Sequence, residues 1–382
     1  MPNDKTIKIF IIAGEASGDY IGSAVMASLK NSSKNAIQFF GIGGELMAGE
    51  GLSSLFPMRE ISLMGFAEII PHLPGLLGRI KETVKKIHEI NPDILITIDS
   101  PGFNYRVAKK ITGVRKIHIV APSVWAYKPG RAKKTAKIFN RLLTILPFEP
   151  PYFIKEGLPT DYIGHPLIEQ FVPGNGQDFR EKHGIGKLVP VILVMPGSRK
   201  MELKKLLPVF EETIALLAKN IKNLHAIILA TPQFASTLAE QAKTWPVKTI
   251  VVAEPKEKAG AKAAANVALV KSGTAALEIA LENIPMVVAY KVNPVSAWLV
   301  KRMVRVKFAS LVNIILEREA VPEFIQEKCR PELLALELEK LLIDPQARMN
   351  QISLLKIALN QLGFGQKQRP SEKAAEIILT TL

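Results

Sequence analysis

Two short turns in the second half of the chain carry residue types suited to holding a diphosphate. Pro196-Gly197-Ser198-Arg199 follows the apolar run Val189–Val194 and precedes a helix carrying Glu202. Backbone N–H groups and the Ser198 hydroxyl can approach phosphate oxygens there, and the Arg199 guanidinium can pair with them through several N–H donors. The segment Lys271-Ser272-Gly273-Thr274-Ala275-Ala276-Leu277-Glu278 repeats the design of strand end, small-residue turn and helix start. Small residues at Ser272, Gly273 and Thr274 let a phosphate sit near the helix amides. Glu278 follows on the face shared with Thr274 and Ala275, where a carboxylate can bind the two hydroxyls of a ribose. Taken singly, each turn reads equally well as a surface turn with an exposed charge. As a pair they reinforce each other, because both lie at carboxyl ends of strands, where parallel sheets bind ligands.

The first half offers a different chemistry. Gly14-Glu15-Ala16-Ser17-Gly18-Asp19 follows the first apolar run and enters a helix, so Glu15 and Ser17 stand beside free backbone N–H groups. The spacing is not that of a dinucleotide fingerprint, and no acid closes the second strand where a ribose would need one. Asp99, in Thr97-Ile98-Asp99-Ser100-Pro101-Gly102-Phe103-Asn104, ends a buried strand. A carboxylate there can act as a general base, or equally as the N-cap of the next helix. Ala121-Pro122-Ser123-Val124-Trp125-Ala126-Tyr127 runs into Lys128, Arg131, Lys133 and Lys134, a pairing of aromatics and cations that suits an anionic, partly apolar ligand. His165, in Gly164-His165-Pro166, is the histidine best placed to line a cleft; the six histidines show no metal-ligand spacing, so no metal site is expected. The segment Ser62–Arg79, with Met64, Phe66 and Ile69, is very apolar for a connection, although most of it would also serve as core.

These residues need a scaffold, and the hydrophobic pattern supplies one. Apolar runs at Ile7–Ala13, Ile37–Phe40, Asp93–Ile98, Ile117–Val120 and Leu142–Leu146 alternate with helical stretches, including Leu76–Ile90. The alternation restarts after Pro173-Gly174-Asn175-Gly176, with strands expected at Val189–Val194, Ala226–Ala230, Thr249–Val252, Val267–Val270 and Met286–Ala289. Strands alternating with helices mean an α/β fold with parallel sheets. The expectation is an N-terminal domain over 1–172, a C-terminal nucleotide-binding domain over 173–345, and a helical tail over 346–382 that packs back on an N-terminal domain, in cis or swapped into a homodimer partner. At 382 residues the chain is too long for one ordinary core, and 48% hydrophobic residues suffice to fill two.

The formal net charge of +15 suits an anionic membrane surface or nucleic acid, or simply a solvated basic exterior. Nucleic acid is disfavoured because no helix-turn-helix, zinc-finger or RNP-type motif is present. The single cysteine, Cys329, cannot form an internal disulfide. The apolar run after the polar start is too short for a signal peptide, and no uncharged stretch is long enough to span a bilayer. A cytoplasmic protein is expected.

An ordered set of segments resembles the lipid A disaccharide synthase family. They are Ala13–Asp19, Gly41–Gly44, Ser62–Ile69, Pro122–Tyr127, Leu146–Glu149, Ile163–Pro166, Pro196–Arg199, Ser272–Glu278, Ser310–Leu316 and Val321–Gln326. The resemblance implies the GT-B architecture, two Rossmann-like domains facing an interdomain cleft. It implies an inverting transfer from UDP-2,3-diacylglucosamine to 2,3-diacylglucosamine 1-phosphate (lipid X), giving a β-1,6-linked disaccharide phosphate and UDP, without a metal or other cofactor. Matching positions imply Asp99 as the catalytic base, with Glu15 and His165 as alternatives. They place Arg199, Glu278 and Asn313 around the donor, and Glu15, Ser17, Trp125 and His165 on the acceptor side. Substrates with acyl chains imply peripheral association with the cytoplasmic face of the inner membrane, with Met64, Phe66 and Ile69 as acyl or membrane contacts. Two departures from the family pattern are Gly102, where Asp is expected, and Tyr127, where Trp is common. Other readings are a different GT-B enzyme, namely a glycolipid glycosyltransferase or a UDP-sugar 2-epimerase, and a basic non-catalytic protein that binds membrane or nucleic acid.

Overall fold

The computed structural model describes residues 6–62, 66–293 and 306–382, and for 66–73 the backbone alone. The first sheet contains β1 (Ile7–Ala13), β2 (Ile37–Ile42), β3 (Ser53–Ser54), β4 (Ile94–Ile98), β5 (Arg115–Ile119), β6 (Arg141–Thr144) and β7 (Thr160–Tyr162). All neighbours pair in parallel, in the order β3-β2-β1-β4-β5-β6-β7. The second contains β8 (Val191–Met195), β9 (His225–Leu229), β10 (Lys248–Val252), β11 (Val267–Lys271), β12 (Met286–Tyr290) and β13 (Glu323–Ile325). It too is parallel, in the order β10-β9-β8-β11-β12-β13. The expected α/β class with two Rossmann-like sheets is therefore present.

Successive side chains of a strand point to opposite faces, and β1 shows what that does to a parallel sheet. Ile9, Ile11 and Ala13 pack on one face with Ile21, Val25 and Leu29 of the helix Ala16–Ser32. Phe10 and Ile12 pack on the other with Leu76, Ile80 and Ile87 of the helix Phe66–Ile90. Burial on both faces is why the strand reads as a continuous apolar run rather than an alternating one. In the second unit, Ile192 and Val194 of β8 share a core with Leu206, Phe210 and Ile214 of the helix Lys200–Asn220 and with Leu334, Leu338 and Leu341 of the helix Pro331–Ile343.

The chain forms two compact units: residues up to Glu169 together with Gly365–Leu382, and Gln170–Phe364. The tail expected at 346–382 is thus divided. The helix Pro345–Gln361 stays with the second unit, where the buried Gln351 amide accepts from the Met286 N–H at 2.5 Å and donates to the Met286 carbonyl at 3.2 Å. The backbone breaks through left-handed Gly363 and Gly365, and only then does the helix Pro370–Thr381 join the first unit. There Ala374, Ala375 and Ile378 complete the β1 core, and Ser28 Oγ donates to Ser371 Oγ at 2.9 Å.

Two other elements differ from expectation. The helix expected to start at Leu76 begins at Phe66 and runs through Pro71 and Pro74. Strands β3, β7 and β13 had no counterpart in the sequence pattern; each is a two- or three-residue strand at a sheet edge.

In both sheets the chain first builds outward, β1 to β3 and β8 to β10, then returns past its starting strand to continue on the other side. The reversal falls between β1 and β4 in one sheet and between β8 and β11 in the other. Loops leaving the carboxyl ends at such a reversal diverge and leave a crevice for ligands. All four turns singled out in the sequence follow these four strands.

Candidate active site

At the second reversal the two phosphate-type turns come together. Gly197, Ser198 and Glu202 after β8, Thr231 after β9, Lys258 and Lys262 on the helix Pro255–Ala263, and Lys271, Gly273, Thr274 and Glu278 after β11 line one cavity of about 290 Å³. Larger hollows exist, such as one of about 540 Å³ between the first and last helices, but none of its lining residues follows a strand end. Gly197 has φ 114°, and a Cβ there would lie 2.4 Å from Glu202 Oε2. Glycine is needed both for that backbone and for the close approach of Glu202. The Ser198 N–H donates to Glu202 Oε2 at 3.2 Å, which folds the turn over the helix start.

The charges in this cavity are paired across it. Lys271 Nζ lies 3.0 Å from Glu202 Oε1, and Lys262 Nζ lies 3.3 Å from Glu278 Oε2. Lys271 also stands over the Tyr290 ring, 5.6 Å from its centroid. Burial pushes the Tyr290 hydroxyl up; the Glu202 carboxylate adds to that and the Arg199 guanidinium opposes it. Arg199 itself is exposed and occupies the N-cap position of the helix Lys200–Asn220. Lysines held over small-residue turns make a site for a polyanion, and Glu278 adds a hydroxyl acceptor beside it.

Ser272 and Asn313 stand behind this layer. Ser272 Oγ donates to the Ala309 carbonyl at 2.9 Å. Buried Asn313 spends its whole amide internally: Nδ2 donates to the Val321 carbonyl and to Glu323 Oε1, both at 2.7 Å, and Oδ1 accepts from the Ala320 and Val321 N–H groups, both at 2.8 Å. Glu323 in turn accepts from the Ala309 and Ser310 N–H groups at 2.8 and 2.7 Å. Asn313, expected around the donor, thus spends its polar atoms on the segment that carries Ala309, and through it steadies the Ser272 turn.

The first reversal is held by backbone strain. After β4 the chain turns through two successive left-handed residues, Asp99 at φ 47° and Ser100 at φ 44°. Non-glycine residues there cost free energy and persist only where the surroundings enforce them. Asn104 does so, with Nδ2 donating to the Ile98 carbonyl at 3.0 Å and the Asp99 carbonyl at 2.8 Å. Gly14 packs against the same turn; a Cβ on it would lie 2.4 Å from Ser100 Oγ. Ser100, not Asp99, holds the N-cap position of the helix Pro101–Ala108. Burial pushes the Asp99 carboxyl above its ordinary value, partly offset by the Ser100 N–H.

The neighbouring loops complete this edge. Glu15 is the N-cap residue of the helix Ala16–Ser32, and Ser17 is exposed in its first turn. Asp19 serves the structure, accepting from the Gly44, Leu46 and Met47 N–H groups at 2.7, 3.1 and 3.1 Å. After β5 the Trp125 Nε1–H donates to Glu149 Oε1 at 3.1 Å, while the ring meets Phe148 edge-on at 5.2 Å. Glu149 is 2% exposed. Its carboxyl is pushed up to about 7 by burial, against hydrogen bonds from Trp125 and from backbone N–H groups that favour the charged form. His165 is buried, and burial lowers it to about 4; its Nδ1 accepts from the Leu167 N–H at 3.1 Å, leaving the proton on Nε2. Met64 lies outside the described residues, as do the side chains of Phe66 and Ile69.

Sequence reasoning did not select Lys258, Lys262 or Glu149 as site residues. The lysines stand in Lys256-Glu257-Lys258-Ala259-Gly260-Ala261-Lys262, which resembles an ordinary solvated face; their four-residue spacing, which puts both on one side of a helix, was the available signal. For Glu149 the signal was its place in the short segment after a strand, within Leu146–Glu149.

Over essentially its full length the chain is similar to lipid-A-disaccharide synthases: 44% identical to that of Rhodospirillum centenum over 99% of this chain and 95% of the relative, and 43% identical to that of Rickettsia conorii over 94% and 84%. Solved structures share the fold at low identity. The UDP-GlcNAc 2-epimerase of Neisseria meningitidis, bound to UDP-GlcNAc, matches with a TM-score of 0.61 at 10% identity, covering 98% of each chain. MurG of Acinetobacter baumannii matches with a TM-score of 0.57 at 12% identity, covering 98% of this chain and 99% of that one. The family model described as lipid-A-disaccharide synthetase matches residues 9–378, and the chain belongs to that family.

Proposed function

We propose that this chain joins UDP-2,3-diacylglucosamine to 2,3-diacylglucosamine 1-phosphate, with inversion at the donor's anomeric carbon. The family membership, together with the two phosphate-type turns meeting in one lysine-lined cavity, carries this reading. The second unit holds the UDP portion: Ser198, Gly273 and Thr274 beside the diphosphate, Arg199, Lys262 and Lys271 supplying positive charge, and Glu278 accepting from the ribose. Asp99 takes the proton from the acceptor's 6-hydroxyl as its oxygen bonds to the anomeric carbon. The bond from that carbon to the UDP oxygen breaks, and the departing charge is stabilised by the cations and helix amides. A carboxylate made more basic by burial is better matched to accepting a proton than one in water.

The test is product formation by the full-length chain in detergent micelles. UDP and a disaccharide phosphate are expected only when both substrates are present; UDP release that ignores the acceptor, or no release at all, contradicts the assignment. Peripheral membrane binding is part of the proposal. It is supported by the net charge of +15, while no described helix is long and apolar enough to cross a membrane. Sedimentation with anionic vesicles tests it: Met64→Ser with Phe66→Ser is expected to weaken binding, and unchanged binding and activity would remove that segment from the contact.

A further inference from the structure

We propose that Arg131 reads the anionic substituent of the acceptor beside Asp99, with Tyr127 as its positioning residue. The inference rests on the function proposed above and assigns part of its acceptor specificity. β5 lies next to β4 in the sheet, so the loop leading to Arg131 and the turn holding Asp99 leave adjacent strands at the same edge. The Arg131 guanidinium carbon stands 5.1 Å from the Tyr127 ring centroid, and Nη1 donates to the Tyr127 hydroxyl at 3.2 Å. An aromatic face under a guanidinium fixes its plane while leaving outward N–H donors available for a phosphate.

Tyr105 ties this cation to the Asp99 turn. Thr135 Oγ1 donates to the Arg131 carbonyl at 2.9 Å and therefore accepts from the Tyr105 hydroxyl, also at 2.9 Å. Tyr105 belongs to the helix Pro101–Ala108 that directly follows Asp99 and Ser100. Burial pushes its hydroxyl up to about 12, with Arg131 lowering it and Asp99 raising it, so one partly buried group senses both charges. An acceptor with a nucleophilic hydroxymethyl on one side of a pyranose ring and a phosphate on the other needs a base and a cation at one sheet edge. Asp99 and Arg131, on loops leaving adjacent strands, are that pair in this proposal.

The test compares 2,3-diacylglucosamine 1-phosphate with the same compound lacking the phosphate, using the full-length chain in micelles. The unmodified chain is expected to favour the phosphorylated acceptor in kcat/KM by about tenfold or more. Arg131→Gln should erase that preference by raising KM for the phosphorylated acceptor, with KM for the donor unchanged. Arg131→Lys should restore part of it, and Lys137→Gln, an exposed charge at the far end of the same helix, should leave it intact. Tyr127→Phe keeps the ring but loses the hydroxyl contact, and should reduce the preference; it decides the matter if Arg131→Gln does not fold. A preference that survives in these variants overturns the inference, as does an unmodified chain that uses both acceptors equally. An unmodified chain that releases UDP with neither acceptor overturns the function itself, and this inference with it.

Discussion

The two sheet reversals occupy equivalent places in equivalent folds, yet the contacts described at each differ in kind. Between β8 and β11 the turns are relaxed apart from their glycines, and the order comes from two lysine–carboxylate pairs, Lys271 with Glu202 and Lys262 with Glu278. Between β1 and β4 the order comes from backbone strain, with Asp99 and Ser100 both left-handed and clamped by Asn104 and Gly14. Ion pairs can exchange partners when a polyanion arrives, so the second reversal suits binding and release. A strained, clamped turn holds one side chain in one place, which suits a group that must meet a single proton.

Breaking each side separately should show this division. The largest effect is expected at Asp99. Asp99→Asn keeps the size and removes the proposed base, and turnover should fall by about 10²–10⁴-fold, measured as acceptor-dependent UDP release. Next, Glu278→Gln and Lys271→Met should weaken UDP binding by roughly tenfold each in calorimetric titration, since each removes a charged hydrogen-bonding group. Salt should weaken UDP binding by the unmodified chain and narrow the deficit of Lys271→Met; an affinity indifferent to salt would argue against a polyanion site there.

Alanine at the two supporting glycines sharpens the contrast through stability. Gly14→Ala puts a methyl against Ser100, and Gly197→Ala adds left-handed strain and displaces the end of Glu202. Each should cost about 1–3 kcal/mol in denaturant unfolding. Ligand should separate them: UDP should rescue the unfolding midpoint of Gly14→Ala as fully as that of the unmodified chain, but rescue Gly197→Ala less.

The smallest effect concerns pH and sets the first unit's buried groups against one another. His118 and His165 are held by burial at about 3 and about 4, below their ordinary 6.5. Their contribution to stability is full above 6.5 and is lost as pH falls through the folded values. Glu149 is raised from 4.5 to about 7, so its contribution is full below 4.5 and is lost as pH rises through 7. Between 4.5 and 6.5 the slopes oppose. Glu149→Gln should therefore make stability rise more steeply with pH in that window, and a slope identical to that of the unmodified chain would contradict the assignment.

Much of the contrast was legible before the fold was known. Doubly buried strands leave long apolar runs, so β1, β4, β8 and β11 could be placed, and the turns after them followed. The edge strands β3, β7 and β13 could not, because two or three residues such as Ser53–Ser54 carry no periodicity and take their conformation from a neighbouring strand. The division of the tail also depended on tertiary partners, Met286 for Gln351 and Ser28 for Ser371. In the site, residue type revealed the glycines, Asp99 and Glu278. It did not reveal that Asn313 would be spent on internal bonds, or that Lys262 would turn inward to Glu278, since both outcomes are set by groups distant in sequence.

The most direct measurement is UDP affinity and turnover determined side by side for Asp99→Asn and Glu278→Gln. If the first reversal handles the proton and the second holds the donor, Asp99→Asn binds UDP as the unmodified chain does while losing turnover, and Glu278→Gln loses UDP affinity. An Asp99→Asn variant that loses UDP affinity in step with turnover, or one that keeps full turnover, would contradict that division.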